Sequence, residues 1–541
     1  MSPAVPVQPR RHPGRLRRSR PLRRLAAALV AATTLIAATA CSSAVDELKA
    51  SSGERQEGGT LRVGALNDII PARIFTNSGD AINVLIGSVY DSLVDYPLDE
   101  LEPQPSLATS WEQSEDGTRL TLQLRDDVTF HSGRPFTSKD VEFSIKTWAD
   151  PVWTVQLQRT AAAITGFDTT DEHAITLTFA HPLSNVFDLL DMLPIIDSES
   201  IDQLREGKAF VGTGPFEFAS WSPGAKISFT RNDDYWRGRP ALDGIDVSVI
   251  PDPQAQVSQL RAHQLDLILG ASYRDFESLG KEDAFRVNQW NGAEGQVYVG
   301  TNVTNPALSD VRVRQAIAYA LDRKRVVDEV YRGAAIPISL PWPDYSPAYD
   351  ADANATYDFD LDKAKALVEE AKADGVQIPT LPLTYPSENP AYGAIAQIVQ
   401  SDLAKVGIEA ELDPQEQAQV IQQLIGAKFE GLWILNHAYA HYTPSTLAVS
   451  AYPFNADHNA SLYVDADYQA IADKVWKQPA AQGTDDGDPA DYTALNEALL
   501  KGSFLLEIAI TLPQDASSTQ VHDLGQTKRG EPLFHDTYLT K

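Results

Sequence analysis

Segments that alternate apolar and polar residues at a period of two interleave with segments of helical period along most of this chain beyond residue 57, which restricts the fold more than any single motif. Residues 60–65 alternate as a first strand. Residues 118–124 (TRLTLQL) do the same after the turn Glu115-Asp116-Gly117, a hairpin signal. Further strands are predicted at 174–179, 227–230, 245–250, 265–269 and 382–385. Between them, residues 81–93 repeat apolar side chains at Ile82, Leu85, Ile86, Val89 and Leu93, the spacing of one helix face. A helix beginning near residue 137 takes Ser138 as its cap, one amphipathic helical region spans 309–331, and others are predicted at 362–373 and 394–406. This interleaving predicts an α/β class with mixed sheets, not a bundle or a sandwich.

The core of such a body has to be large. Cys41 is the only cysteine in 541 residues, so no intrachain disulfide can form. Nine Trp, 19 Tyr and 18 Phe are available to fill an interior or to line a cleft. Beyond residue 40 no stretch approaches 18 apolar residues, and a soluble body is expected.

The head of the chain reads differently. Residues 1–24 carry eight arginines and no acid, residues 25–40 are almost entirely Ala, Leu, Val, Ile and Thr, and Cys41-Ser42-Ser43 closes the run. A basic head, a short apolar stretch and small residues at the cut are the three parts of a secretory signal. Ala38-Thr39-Ala40-Cys41 resembles a bacterial lipobox, which implies lipidation of Cys41 as the first mature residue; Ala38 stands where lipoboxes usually carry Leu. Twin arginines at 17–18 and 23–24 leave Sec and Tat export both open. Residues 42–57 are Ser-rich and charged without apolar periodicity, as in a flexible tether. Eight of the 45 basic residues lie in the head, so the rest of the chain sets 37 against 74 acidic residues, a formal charge of −37. Such a surface excludes nucleic acid as a partner and leaves acyl chains on Cys41 as the hold on a membrane.

Six stretches then carry a resemblance: GGTLRVG (58–64), the long segment 90–146 beginning YDSLVDYPLDELEPQPSLATSW, VGTGPFEFASWSPG (211–224), NDDYWRG (232–238), SDVRVRQAIAYALDRKRVVDEVYRGAA (309–335) and LAKVGIEAEL (403–412). In this order they resemble the solute-binding proteins of ABC importers, in the family of oligopeptide-, dipeptide- and nickel-binding proteins (family 5). The resemblance implies a periplasmic-binding-protein-like fold of type II, a Venus flytrap whose two lobes of mixed sheet and helices are joined by a hinge. Lobe one would comprise 58–89, 213–301 and 508–541, with an insert subdomain at 90–212. Lobe two would comprise 302–507, with hinge strands near 301–302 and 506–510. Residue by residue, the turns around Gly133, Pro135 and Gly212–Pro215 and the helix carrying Arg312 and Arg314 read as scaffold.

In peptide-binding members of the family an Asp in lobe two pairs with the ligand's α-amine, in a stretch resembling Trp…Ala-Asp-Tyr-x-x-Pro. The corresponding stretch here runs from Trp433 to Pro444, and counting back from Pro444 places Ala440 at the Asp. A buried ammonium needs a compensating charge, so either another acid (Glu388 or Asp457) supplies it or the ligand has no amine there. Trp433, Asn436, His437, Tyr439 and Tyr442 gather aromatic faces with polar edges in this stretch, suited to a bulky polar ligand. Ser387, Glu388 and Asn389 follow a predicted strand and form a second candidate wall; Asn67 and Trp153 are the candidates from lobe one and its insert. His437, His441 and His458 fall within 22 residues, but not on an evident helix and without Cys or Met, so no metal site is expected.

G-x-S-x-G, H-E-x-x-H and P-loop signatures are absent, which argues against a secreted hydrolase. The expectation is a lipid-anchored, monomeric receptor outside the cell membrane. It captures a peptide or similar-sized polar solute for ABC permease subunits and their cytoplasmic ATPases, with no catalysis and no cofactor. An oligosaccharide, a siderophore or a nickel complex as ligand, or a role as ligand sensor, are the alternatives.

Overall fold

A computed structural model describes residues 55–75, 79–153, 155–293, 295–480 and 487–541. The signal at 1–40, Cys41 and the tether as far as residue 54 lie outside the described residues. The chain divides into a small unit, 1–55 with 540–541, and a body, 56–539. In the small unit only Arg55, Thr540 and Lys541 are described. Among the described residues no helix is long and apolar enough to cross a membrane.

The body is built on three principal sheets. The first has seven strands in the order Phe285–Gln289, Gln514–Ser518, Leu267–Ile268, Thr60–Ala65, Gly244–Val249, Lys226–Arg231 and Phe216–Ser222. Thr60–Ala65 is central and runs parallel to both of its neighbours, while the outer pairs are antiparallel. The second has six strands in the order Ala335–Pro337, Leu505–Thr511, Gly295–Thr301, Leu432–His437, Leu381–Pro386 and Ala410–Gln415. In it, Leu381–Pro386 runs parallel to the strands on either side. The third, four-stranded and antiparallel, takes Ala108–Gln113, Arg119–Leu124, Ala174–Phe179 and Ile164–Asp168. The mixed α/β architecture expected from the alternating periods is thus the one observed.

The chain passes between the first and second sheets twice, from Gln289 to Gly295 and from Thr511 to Gln514. The passages are tied together by Trp290, whose backbone N–H donates to Pro513 at 2.9 Å and whose indole donates to Asp515. Residues 301–302 and 506–510, where hinge strands were expected, lie at the end of and within strands of the second sheet.

Local chemistry accounts for the elements, with two departures. The helix Ser138–Ala149 is capped by Thr137, whose N–H and hydroxyl both donate to Asp140; the Ser138 hydroxyl, expected to cap it, donates instead to the Asp171 carbonyl. The helical region expected at 309–331 is two helices, Val311–Ala320 and Arg323–Glu329. Asp322 caps the second by accepting from the Arg325 N–H. Arg323 turns inward and its guanidinium donates to the Ala318 carbonyl, at the end of the first.

One continuous core runs from the first sheet through the third and onto one face of the second, where Tyr298, Trp433 and Leu435 belong to it. The opposite face of the second sheet, with Val297, Val299 and Ile434, packs on a separate core with the helices Val311–Ala320, Leu361–Ala373 and Pro390–Lys405.

Candidate functional site

Parallel strands flanked on both sides place crevices at their C-terminal ends, where chain connections leave in opposite directions. The seven-stranded and six-stranded sheets each contain one. From Leu381–Pro386 the chain moves to Ala410–Gln415 on one side and returns to Leu432–His437 on the other. Residues 387–389 and 438–443 therefore leave the same end of the second sheet. In the first sheet Thr60–Ala65 ends in the segment containing Asn67.

Of the candidate residues, His437, Tyr439 and Tyr442 stand on one segment. His437 is buried, and its Nε2 lies 2.9 Å from Glu507 Oε1. Phe454 packs edge-on against its ring at 5.0 Å. Tyr439 is half-buried; burial pushes its phenol up to about 12, against a smaller opposing pull from Arg529. Tyr442 is buried and its hydroxyl donates to Asp191 at 2.8 Å. Asn436 is exposed and accepts a 2.7 Å hydrogen bond from the Tyr392 hydroxyl. Ala440 is buried at the position counted for the amine-binding Asp.

Trp433 belongs to the core shared with Tyr298 and Leu435. It is fully buried and stacked on Phe429 at 4.2 Å with only 10° between the rings. It fills space left by Gly300 on the neighbouring strand, where an added Cβ would come within 2.1 Å of the indole. Ser387, Glu388 and Asn389 are exposed, and the last two serve as helix caps. Both Glu388 oxygens accept from the Gln417 N–H, and Asn389 accepts from Ala391. Asn67 is exposed, while its neighbour Asp68 is consumed by the Trp221 indole and the Gly224 N–H. Trp153 is buried against Phe75 at 4.9 Å, with the Arg205 guanidinium over its ring. Among the described residues no group of three or more His, Cys, Asp or Glu could hold a metal ion.

Sequence reasoning missed the residues that hold this segment down. Helix Val186–Met192, within the segment expected as an insert, presents the buried Asp188 and the half-buried Asp191 to the residues after Tyr439. Asp188 accepts from the Thr443 N–H and hydroxyl, the Thr446 hydroxyl and the Tyr96 hydroxyl. Asp191 accepts from Tyr442 and from the Tyr96 N–H. Asn185 donates to Thr446 and accepts from the Trp476 indole. Burial outweighs these bonds and pushes the Asp188 and Asp191 carboxyls up to about 6 and about 7. The signal was present in Val-Phe-Asp-Leu-Leu-Asp-Met: two acids three apart on an otherwise apolar helix require buried partners.

The chain is similar to known proteins. Heme-binding protein A of Haemophilus influenzae is 28% identical over 359 residues, which cover 61% of this chain and 65% of that protein. Oligopeptide-binding protein AppA of Bacillus subtilis is 27% identical over 431 residues, 75% of this chain and 78% of that protein. The solved periplasmic binding protein DppA of Helicobacter pylori, in complex with the peptide STSA, superposes with a TM-score of 0.76 at 24% identity, covering 90% of this chain and 99% of its own. The fold is that of the type II periplasmic binding proteins. Residues 102–454 match the family described as bacterial extracellular solute-binding proteins, family 5 Middle, and the chain belongs to that family.

Proposed function

We propose that the chain is the lipid-anchored receptor of an ABC importer, held by acyl chains on Cys41 at the outer face of the bacterial cell membrane. It captures a peptide or a polar solute of similar size between two lobes and presents the closed form to a permease with cytoplasmic ATPases. It works as a monomer, carries out no reaction and needs no cofactor. The lobes are those built on the seven- and six-stranded sheets, with 90–212 inserted in the first and the hinge at the passages 289–295 and 511–514 rather than at 301–302 and 506–510. The segment from Asn436 through Tyr442 and the residues 387–389 form one wall, and the segment after Thr60–Ala65 with Asn67 forms the other. Trp153 and Trp433 support the walls from behind. Ligand acts by favouring the closed state over the open one, since affinity shared equally by both shifts nothing.

The observation that carries this reading is the family match over residues 102–454. A non-peptide solute is the second reading, favoured by Ala440 where an amine-binding acid is expected and by the likeness to a heme-binding protein. Native mass spectrometry of the protein purified gently from its own host decides between them. A ladder of peptide masses on the protein is the expected result for a peptide receptor. A single non-peptide mass assigns the second reading. A bare protein that binds neither peptides nor sugars in titration removes both.

A further inference from the structure

Three polar side chains on one face of the six-stranded sheet, and a fourth behind it, keep buried atoms without a hydrogen-bond partner among the described residues. They are both amide atoms of Gln296, Nδ1 of His437, Oε2 of Glu507 and Nη2 of Arg323. Gln296 and His437 stand directly opposite each other on adjacent strands, and Glu507 stands opposite Tyr298, two residues along from Gln296. Side chains two apart on a strand share a face, so the three project together. Buried polar groups are nearly always satisfied in folded proteins, so each of these needs an explanation.

Two of the four explain each other. The Arg323 guanidinium donates to the carbonyls of Ile338, Glu507, Ala318 and Tyr357. Arg323 and Glu507 line a common cavity of about 10 Å³, and about 10–15 Å³ is the room one bridging water needs. Neither Gln296 nor His437 lines that cavity.

The Glu507 contact decides what His437 offers. A carboxylate oxygen only accepts, so the proton between His437 and Glu507 belongs to Nε2. In a ring that carries this one proton, Nδ1 is a bare acceptor. Beside it, Gln296 supplies one acceptor and two donor hydrogens. Both residues sit where the chain leaves the second sheet: His437 ends its strand, and Gln296 is the second residue after the passage from Gln289. A carboxylate placed there would meet the Nδ1 lone pair. An ammonium would have to compete with the His437 ring for the Glu507 carboxylate. An uncharged group that both donates and accepts pairs with His437 Nδ1 and with the Gln296 amide N–H.

We infer that Gln296 and His437 form a subsite in the cleft wall for an uncharged hydrogen-bonding group of the solute, an amide or a hydroxyl, whose N–H or O–H donates to His437 Nδ1 while its oxygen accepts from the Gln296 amide. Glu507 is a positioning residue that holds the His437 ring and its tautomer. The inference rests on the receptor reading above.

The test compares the wild-type protein with Gln296→Leu, which keeps the bulk and removes both polar atoms. Tri-alanine, its N-acetylated amide and maltotriose are titrated calorimetrically into each, and any co-purified solute is followed by native mass spectrometry. Gln296→Leu is expected to keep or raise the ligand-free melting temperature, because an unmatched buried amide is gone, and to weaken binding at least tenfold. Binding of the peptides identifies the group as an amide, and binding of maltotriose as a hydroxyl. In the ¹⁵N spectrum of the wild type, Nδ1 of His437 is expected to move on binding while Nε2 keeps its proton. A variant that binds as tightly as the wild type, a melting temperature that falls in step with affinity, or an unmoved Nδ1 overturns the inference and leaves the receptor reading standing. A wild type that carries nothing and binds none of the probes overturns the receptor reading and the inference with it.

Discussion

Trp433 shows how far a residue's chemistry can be read without its neighbours. In the sequence it stands among Asn, His and Tyr, the composition of a polar cleft. In the structure it is stacked on Phe429 over the gap left by Gly300. The same side chain suits either role; what decides is the glycine 133 positions earlier on the adjacent strand, which no local window contains. Trp433→Ala is therefore expected to destabilise the ligand-free protein by about 3–5 kcal/mol, the usual cost of deleting a fully buried Trp. Denaturant unfolding measures this directly. Unchanged stability with lost ligand binding would put Trp433 in the cleft. His437 is the opposite case: its place in the segment was legible from the count to Pro444, but its partner Glu507 lies 70 residues on and carried no local mark.

Among the elements, the helix Val186–Met192 and the segment 442–446 are the pair that sequence could not join. About 250 residues separate Asp188 from Thr443 and Asp191 from Tyr442, and neither partner's pattern names the other. Their burial has a pH consequence. In the folded protein the two carboxyls titrate near about 6 and about 7; in an unfolded chain an Asp titrates at about 3.9. The folded state thus binds more protons between those values. The two acids help stability most below about pH 4, and that help is lost as pH rises through about 7. Melting temperatures between pH 5 and pH 8 should fall more steeply for the wild type than for a variant carrying both Asp188→Asn and Asp191→Asn. Parallel curves would show that these acids are ionised in the fold. The division of the expected helix at 309–331 is a smaller instance of the same limit. Its apolar period was correct for both halves, and only the inward turn of Arg323 toward the carbonyls of Ala318, Ile338, Glu507 and Tyr357 breaks it.

For the whole molecule, the proposed anchor and the body are apart in the sequence: Cys41 is the only cysteine, and the central strand of the seven-stranded sheet begins at Thr60. Cys41→Ala is expected to move the protein from the membrane fraction to the medium with its melting temperature unchanged. Fractionation with mass analysis of the N-terminal peptide checks it, and a variant still acylated and membrane-bound would refute the anchor. What the sequence by itself determined is the α/β class, the succession of strands and helices, and the family. Those follow from periodicity and from motifs whose residues are neighbours in the chain. What only the tertiary structure decided is which candidate side chains are buried, where the chain passes between the two sheets, and which acids and amides meet across hundreds of residues. The reason is physical: burial, hydrogen-bond satisfaction and shifted ionisation are properties of surroundings, and in this fold the surroundings of each site residue come from strands and helices distant in sequence.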